Sequence, residues 1–321
     1  MPVSVAIIGA GIAGVAAARI LGEAGIVCTL FDKSRGVGGR MATRRAGDLQ
    51  FDHGAQYFSA KGERFLSLVG AWRKGGLAAE WFAGAFVGTP GMTAPARALG
   101  FDLEVVTSCE VKALRRSADG WTLFTAEGAV EHPANGVFAA VLLALPAPQI
   151  EPILSSAALR FEALESVVYA PCWALMLAYE KRIDLPWTHL RTEGGDIPWI
   201  ARNATKPGRG GDLETFVVHA GPDWSKRYLE KTPDEAAALL LAEFSKMAGV
   251  TGEPMFVAAH RWRFALVETG AGAPFLWNDA ARVGACGDWC IGPRVEAAFD
   301  SGEAMGRACI AALGVGEGSA R

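Results

Sequence analysis

The sequence predicts an α/β fold of two interleaved units. One is discontinuous and built on a buried parallel sheet; the other is α+β, built on a mixed or antiparallel sheet. Three observations predict this. Residues 3–8 and 26–31 are apolar runs without a charge, the pattern of strands covered on both faces. Between them, Ile12, Val15, Ala16, Arg19 and Ile20 follow helical spacing. Residues 150–265 then change texture: segments 172–179 and 215–220 read as strands, and tryptophans stand at 173, 187, 199, 224 and 262.

The first strand and helix are joined by Gly9-Ala10-Gly11-Ile12-Ala13-Gly14. Gly9 permits a tight turn, Gly11 lets backbone approach a pyrophosphate, and Gly14 lets helix and strand pack closely. The start of the helix offers free N–H groups and a positive dipole end to phosphates. Asp32 closes the second strand, about 20 residues on, where a carboxylate accepts hydrogen bonds from a ribose hydroxyl. A glycine turn alone is a weak signal in a chain with 39 glycines. Strand, turn, helix and acid in this order make a Rossmann-like dinucleotide site.

Gly36-Val37-Gly38-Gly39-Arg40 follows almost at once. A nicotinamide-binding unit has no use for a second glycine turn carrying an arginine. A flavin dinucleotide does, since backbone and guanidinium clamp its pyrophosphate from the other side. Near the far end, residues 282–288 read as a short strand ending in Gly287-Asp288, and 295–305 as a helix of small residues. That pair suits an acid on the ribitol chain and a helix N-terminus facing the flavin pyrimidine ring.

The GAGIAG start, Asp32, the GGRM loop and the terminal GDW…VEAAFDSGEAMG segment resemble the flavin-containing amine oxidase superfamily. Within it, FDHGAQYF at 51–58 and HRWRFA at 260–265 most resemble the renalase branch, especially its bacterial members. The resemblance spans the chain. It implies non-covalent FAD, held at the first turn by Gly9, Gly11, Ile12, Ala13 and Gly14, and beyond the second strand by Asp32 and Lys33. It adds Gly39, Arg40 and Met41 of the second turn, then His53, Gly54 and Ala55 beneath the isoalloxazine ring. Val111 becomes a backbone contact to the adenine, and Gly287, Asp288, Arg294, Val295 and Ala298 complete the set. The implied FAD-binding domain comprises residues 1–60, 96–150 and 266–321. The substrate domain comprises 61–95 and 151–265.

The remaining chain reads in order. By the resemblance the loop 51–58 runs under the isoalloxazine ring with Gln56 and Tyr57 exposed to substrate; the other reading is a packed turn in which Asp52 and His53 bond backbone. Residues 62–74 form a helix with Phe65, Leu66, Val69 and Trp72 on one face. Segments 103–116 and 121–126 alternate as strands across Asp119-Gly120, a favoured hairpin turn. A turn at Asn135-Gly136 leads to a buried strand, 137–145, ending before Pro146. Thr232-Pro233-Asp234-Glu235 is a capping box starting a helix through Leu239, Leu240, Phe244 and Met247. Residues 206–212, rich in glycine with a proline, read as a mobile lid or a hairpin tip. The strand 255–266 returns the chain to the first unit, and 314–321 reads as a frayed end. Alternation puts His260, Trp262 and Phe264 on one face and Arg261 and Arg263 on the other. The first face lines a pocket, or His260 is a satisfied core histidine.

Composition sets the outer limits. A net charge of −3 gives no basic footprint for nucleic acid or an acidic membrane surface, and the N-terminal apolar run ends at a glycine turn rather than a cleavage site. Six scattered cysteines without CxxC pairs read as reduced thiols in the cytoplasm. Cys286 reads as a small buried residue; its other reading is a covalent flavin tether. The five histidines have no metal-ligand spacing, and there is no G-x-S-x-G elbow for hydrolysis. The pocket candidates are Gln56, Tyr57, Trp199, His260, Trp262 and Trp289. With no catalytic base evident, the leading expectation is an oxidase. It takes hydride from a reduced nicotinamide dinucleotide, an off-pathway dihydro isomer, and passes electrons to O2 as hydrogen peroxide. Oxidation of an amine or desaturation of a hydrophobic substrate is the second reading, and a non-catalytic redox sensor the third. Monomer and homodimer both stay open.

Overall fold

A computed structural model describes residues 3–130 and 137–315. The strands Ser4–Ile8 and Val27–Phe31 and the helix Ile12–Glu23 form where the apolar runs and the helical spacing place them. They lie in a six-stranded sheet whose spatial order is Leu276–Asn278, Val283–Ala285, Ala140–Leu143, Ser4–Ile8, Val27–Phe31, Glu104–Val106. All neighbours are parallel except the first pair. The helices Ile12–Glu23 and Val295–Leu313 cover one face together. Their crossing is so close that a Cβ on Gly302 would stand 2.1 Å from the Ala13 carbonyl oxygen. Strand order reverses between Ser4–Ile8 and Ala140–Leu143, and a crevice opens there beyond the carboxyl ends of the strands.

The second sheet is antiparallel throughout: His189–Arg191, Trp199–Arg202, Glu214–His219, Val168–Tyr179, Phe256–Thr269. Alternation gives each strand two destinations. Trp173, Leu175, Phe216 and Val218 face the helix Pro233–Ala248 on the back. Met176, Ala178 and Val217 face Phe51 and the first unit. The helix begins with both bonds of the capping box, Glu235 N–H to Thr232 Oγ1 (3.3 Å) and Thr232 N–H to Glu235 Oε2 (2.9 Å).

Several expectations need correction. The alternating stretch 103–116 is two strands, because Glu104–Val106 extends the parallel sheet while Ala113–Arg116 pairs with Trp121–Phe124 in a separate hairpin. On Glu63–Lys74 the buried face is Phe65, Val69 and Trp72, with Leu66 turned outward; on Pro233–Ala248, Leu239 and Met247 likewise point to solvent. The segment 61–95, expected with the second unit, packs on both: Phe65, Val69, Trp72, Ala78 and Val87 share a core with the first, while Trp81 and Phe82 pack on His189 and Trp199 of the second sheet. Trp173 and Trp224 fill the back of the second sheet, which leaves Trp199 and Trp262 facing the crevice. The turn at Asn135-Gly136 and residues 316–321 lie outside the described residues. Among those described, no helix is long and apolar enough to cross a membrane.

Candidate active site

The crevice between the units encloses about 2250 Å³. One end is made of backbone. Gly9 turns the chain at φ +105°, and a Cβ there would stand 2.4 Å from the Ala144 carbonyl oxygen. A Cβ on Gly14 would lie 2.0 Å from the Gly9 oxygen, so this glycine serves helix–strand packing. Gly11 differs: nothing stands within 4 Å of its missing side chain. It starts the first helix without a side-chain cap, and with Gly9 and Ile12 it faces the crevice. The second glycine turn is stitched alongside, with Gly38 N–H donating to the Ala10 oxygen (2.9 Å). These bare loops and the uncapped helix start fit a pyrophosphate-bearing dinucleotide.

Asp32 is buried, and each of its oxygens accepts a backbone N–H: Ala10 to Oδ2 and Ser34 to Oδ1, both at 2.7 Å. It fastens the glycine turn and lines the crevice. Arg40 and Asp288, which the sequence treats as separate cofactor ligands, are paired with each other. The guanidinium donates to both Asp288 oxygens (2.8 and 2.6 Å) and to the Ala265 oxygen (3.1 Å). Lys33, Gly39, Met41, Gly54, Ala55, Val111, Gly287, Arg294 and Val295 line the crevice, whereas Ala13, Gly14 and Ala298 lie behind it. Cys286 is fully buried and its thiol is pushed well up by burial, as befits a packing residue rather than a covalent tether.

The other end has a polar and aromatic floor. Across the second sheet, Trp199, His219, Ala174 and His260 sit in register on adjacent strands. Three large side chains thus stand in one row, with a dip at Ala174. Over this floor lies the loop 52–58. Trp262 Nε1 donates to the His53 carbonyl oxygen (2.9 Å), and the His53 ring meets His260 edge-on at 4.8 Å. Tyr57 packs on Trp199 with ring centres 5.5 Å apart. Gln56, Tyr57, Trp199, His260 and Trp262 all line the crevice. Trp289 does not: it is fully buried, its indole donating to the Leu145 oxygen (2.9 Å). Its place next to Asp288 in sequence misleads, because the short helix Asp288–Ile291 turns the ring into the core.

The sequence missed a charged cluster beneath this floor. The stretch 206–212, expected as a lid or hairpin tip, sends Lys206 and Arg209 inward onto Asp52. His219 was also missed; a histidine closing the strand Glu214–His219 after Phe216, Val217 and Val218 was its signal. The imidazoles are held neutral. Burial, with His260, Arg44 and His219 nearby, lowers His53 to about 3. Burial lowers His219 to about 4, and burial with Arg44 lowers His260. Each lowered value means that the unfolded chain binds protons the folded chain refuses. Stability is therefore full above the ordinary histidine value near 6.5 and is lost as pH falls below it. Between pH 7 and 5, His53 alone should remove about 2 kcal/mol, and urea unfolding of His53→Asn should show a flatter pH dependence. An equal slope in both proteins would contradict this.

Among the described residues no group of His, Cys, Asp or Glu is placed to hold a metal. Residues 7–72 match the NAD(P)-binding Rossmann-like domain, and residues 74–306 match the flavin-containing amine oxidoreductase family. The fold is similar to a solved structure from Exiguobacterium sp. 255-15 named as a protoporphyrinogen oxidase. The identity is 14%, 98% of this chain and 99% of that one are covered, and the TM-score is 0.77. It is similar to cyclohexylamine oxidase from Brevibacterium oxydans IH-35A (14% identity, 98% and 100% covered, TM-score 0.68). Putrescine oxidase with putrescine bound gives 15% identity, 97% and 99% covered, and a TM-score of 0.67.

Proposed function

Because the chain belongs to the flavin-containing amine oxidoreductase family and is an FAD-dependent oxidoreductase, we propose that its reductant is a reduced nicotinamide dinucleotide. In this reading it is a renalase-like oxidase acting on off-pathway dihydro isomers of NAD(P)H. FAD, when bound, would supply the two-electron chemistry, with O2 as electron acceptor and hydrogen peroxide as product. Gly9, Gly11, Gly39 and the start of the first helix hold the cofactor pyrophosphate, Asp32 its ribose, and the Arg40–Asp288 pair its ribitol side. The floor of Trp199, His219, His260 and Trp262 orients the nicotinamide, and no side chain need act as a base. The six free thiols fit a cytoplasmic setting.

The observation that carries the reading is charge. Ten lysine and arginine side chains line the crevice against three carboxylates. Asp288 and Glu110 match Arg40 and Lys112, Glu230 outside the crevice matches Arg261 and Arg263, and Asp32 is held by backbone N–H groups, so the surplus rests on Lys33, Arg35, Arg44, Arg45, Arg97 and Arg294. Arg44 lies close enough to act on both His53 and His260. Such a lining attracts phosphate-bearing ligands and repels an ammonium ion. The crevice also exceeds the roughly 300–1,000 Å³ of an ordinary ligand site, which leaves room for a second dinucleotide beside FAD. The named amine oxidases of the same fold favour the other reading, an amine taken neutral between aromatic walls.

Stopped-flow absorbance separates the two. Mixed anaerobically, the holoenzyme should be bleached by isomerised NADH, with its 2- and 6-dihydro forms, far faster than by ordinary NADH or any of a panel of amines. Oxygen should then restore the colour and yield peroxide. Bleaching by an amine alone would replace this reading with amine oxidation.

A further inference from the structure

Lys206 and Arg209 follow the strand Trp199–Arg202 and are buried, 2% and 8% exposed. Both converge on Asp52 Oδ2. Lys206 Nζ stands 3.3 Å away, Arg209 bonds the same oxygen, and Asp52 has no exposure at all. The Asp52 carboxylate also accepts from Thr43 Oγ1 (2.8 Å) and Met92 N–H (2.9 Å). Burial works to raise its carboxyl, but Lys206 and Arg209 overcome that and hold it below its ordinary value. Two cations on one anion leave a buried surplus of positive charge. Burying an uncompensated charge is costly, and Asp52 with Arg209 alone would have been neutral. The second cation is therefore not explained by closing the fold.

Its position explains it. Lys206 Nζ donates to Gln56 Oε1 (3.3 Å) while lying over the Trp81 ring at 5.2 Å. An ammonium only donates, so the Gln56 amide nitrogen must point the other way, to the Asp52 and Gly54 oxygens and to His219 Nε2 at 3.2 Å. Gln56 and His219 line the crevice, so the surplus charge lies one side chain from the ligand space.

We propose that Lys206 is a specificity-determining residue, reserving this end of the crevice for an uncharged ring and disfavouring a cationic one. The proposal rests on the dihydronicotinamide reading. A neutral dihydropyridine ring that gives up hydride, a proton with two electrons, to the cofactor becomes a pyridinium cation. Lys206 then admits the reductant and weakens the hold on the oxidised product, which leaves. The groups facing Lys206 are Asp52 from Leu49–Asp52, Arg209 from its own segment and His219 from Glu214–His219, with uncharged Gln56 and Trp81. Burial lowers Lys206 to about 8, with Asp52 opposing and Arg209 assisting. The discrimination is accordingly present at pH 7 and fades as pH rises through 8.

The test uses FAD-loaded protein and two probes with the same ring: nicotinamide, which is neutral, and 1-methylnicotinamide, a permanent cation. Binding is read from the shift of the flavin absorption band, not from turnover. At pH 7, Lys206→Met should shrink the preference for the neutral probe by about tenfold, the order expected of one charge acting across a side chain in a protein interior. Lys206→Arg should keep the preference at pH 9.5, where the wild type loses it. An unchanged ratio in Lys206→Met that retains FAD and melts like the wild type overturns the role of Lys206. Should Lys206→Met fail to fold, the wild type and Lys206→Arg at pH 9.5 decide: equal ratios there overturn it too. If amines but neither probe perturb the wild-type spectrum, the dihydronicotinamide reading fails, and this proposal with it.

Discussion

Asp52→Ala is expected to destabilise the protein more than any other single charge removal in the site. The substitution deletes the carboxylate that holds both Lys206 and Arg209 and frees Thr43 Oγ1 and the Met92 N–H as well. Breaking a buried pair by removing one partner costs about 3–5 kcal/mol because the other charge stays behind, and here two stay. Against a total of about 5–15 kcal/mol, that is a large share of the folding free energy. Asp52 also joins the units: its N–H meets Asn203 Oδ1 (3.3 Å), and Asn203 Nδ2 donates to the Gln50 oxygen (3.0 Å). Urea unfolding should show a loss of at least 3 kcal/mol in Asp52→Ala. It should be smaller when Lys206→Met and Arg209→Met are added, because the stranded charges go with them. A loss below about 1 kcal/mol in the single variant would show that water reaches the cluster.

The contrast with Lys206→Met is instructive. That change leaves Asp52 and Arg209 as a matched pair, so the fold should survive it. Stability and ligand discrimination then separate on two residues that touch.

What could be read from the sequence was local. Gly9, Gly11, Gly14 and Asp32 lie within one strand–turn–helix–strand unit, where spacing alone brings them together. The capping box needs only Thr232 and Glu235, and the facing of His260 and Trp262 needs only alternation. The charged cluster depends on contacts the sequence does not encode nearby, since Asp52 and Lys206 meet across 154 positions and Arg40 and Asp288 across 248. A lysine in a loop rich in glycine and proline looks solvated whatever it touches. Alternation over 103–116 was real but ran through two strands of different sheets, because period two says which way a residue points and not which sheet it joins. Trp289 failed for a related reason: its neighbour faces the crevice, and one helical turn is enough to aim the ring elsewhere.

The glycine turn yields the second large effect, because its glycines are needed for different reasons. Gly14→Ala puts a Cβ 2.0 Å from the Gly9 carbonyl oxygen and 3.2 Å from the Ala144 side chain, so helix and strand must part. Its damage is to the fold and should appear with or without cofactor. Gly11→Ala meets nothing within 4 Å, and its φ of −73° is open to any residue, so the fold should accept it. The space the new methyl enters is the space proposed for the pyrophosphate. Gly11→Ala should therefore unfold like the wild type as apoprotein, within about 0.5 kcal/mol, yet bind FAD at least 100-fold more weakly by fluorescence titration. Unimpaired FAD binding would mean that the phosphates run elsewhere along the crevice. Equal destabilisation of the two apoproteins would mean that Gly11, like Gly14, is there for packing.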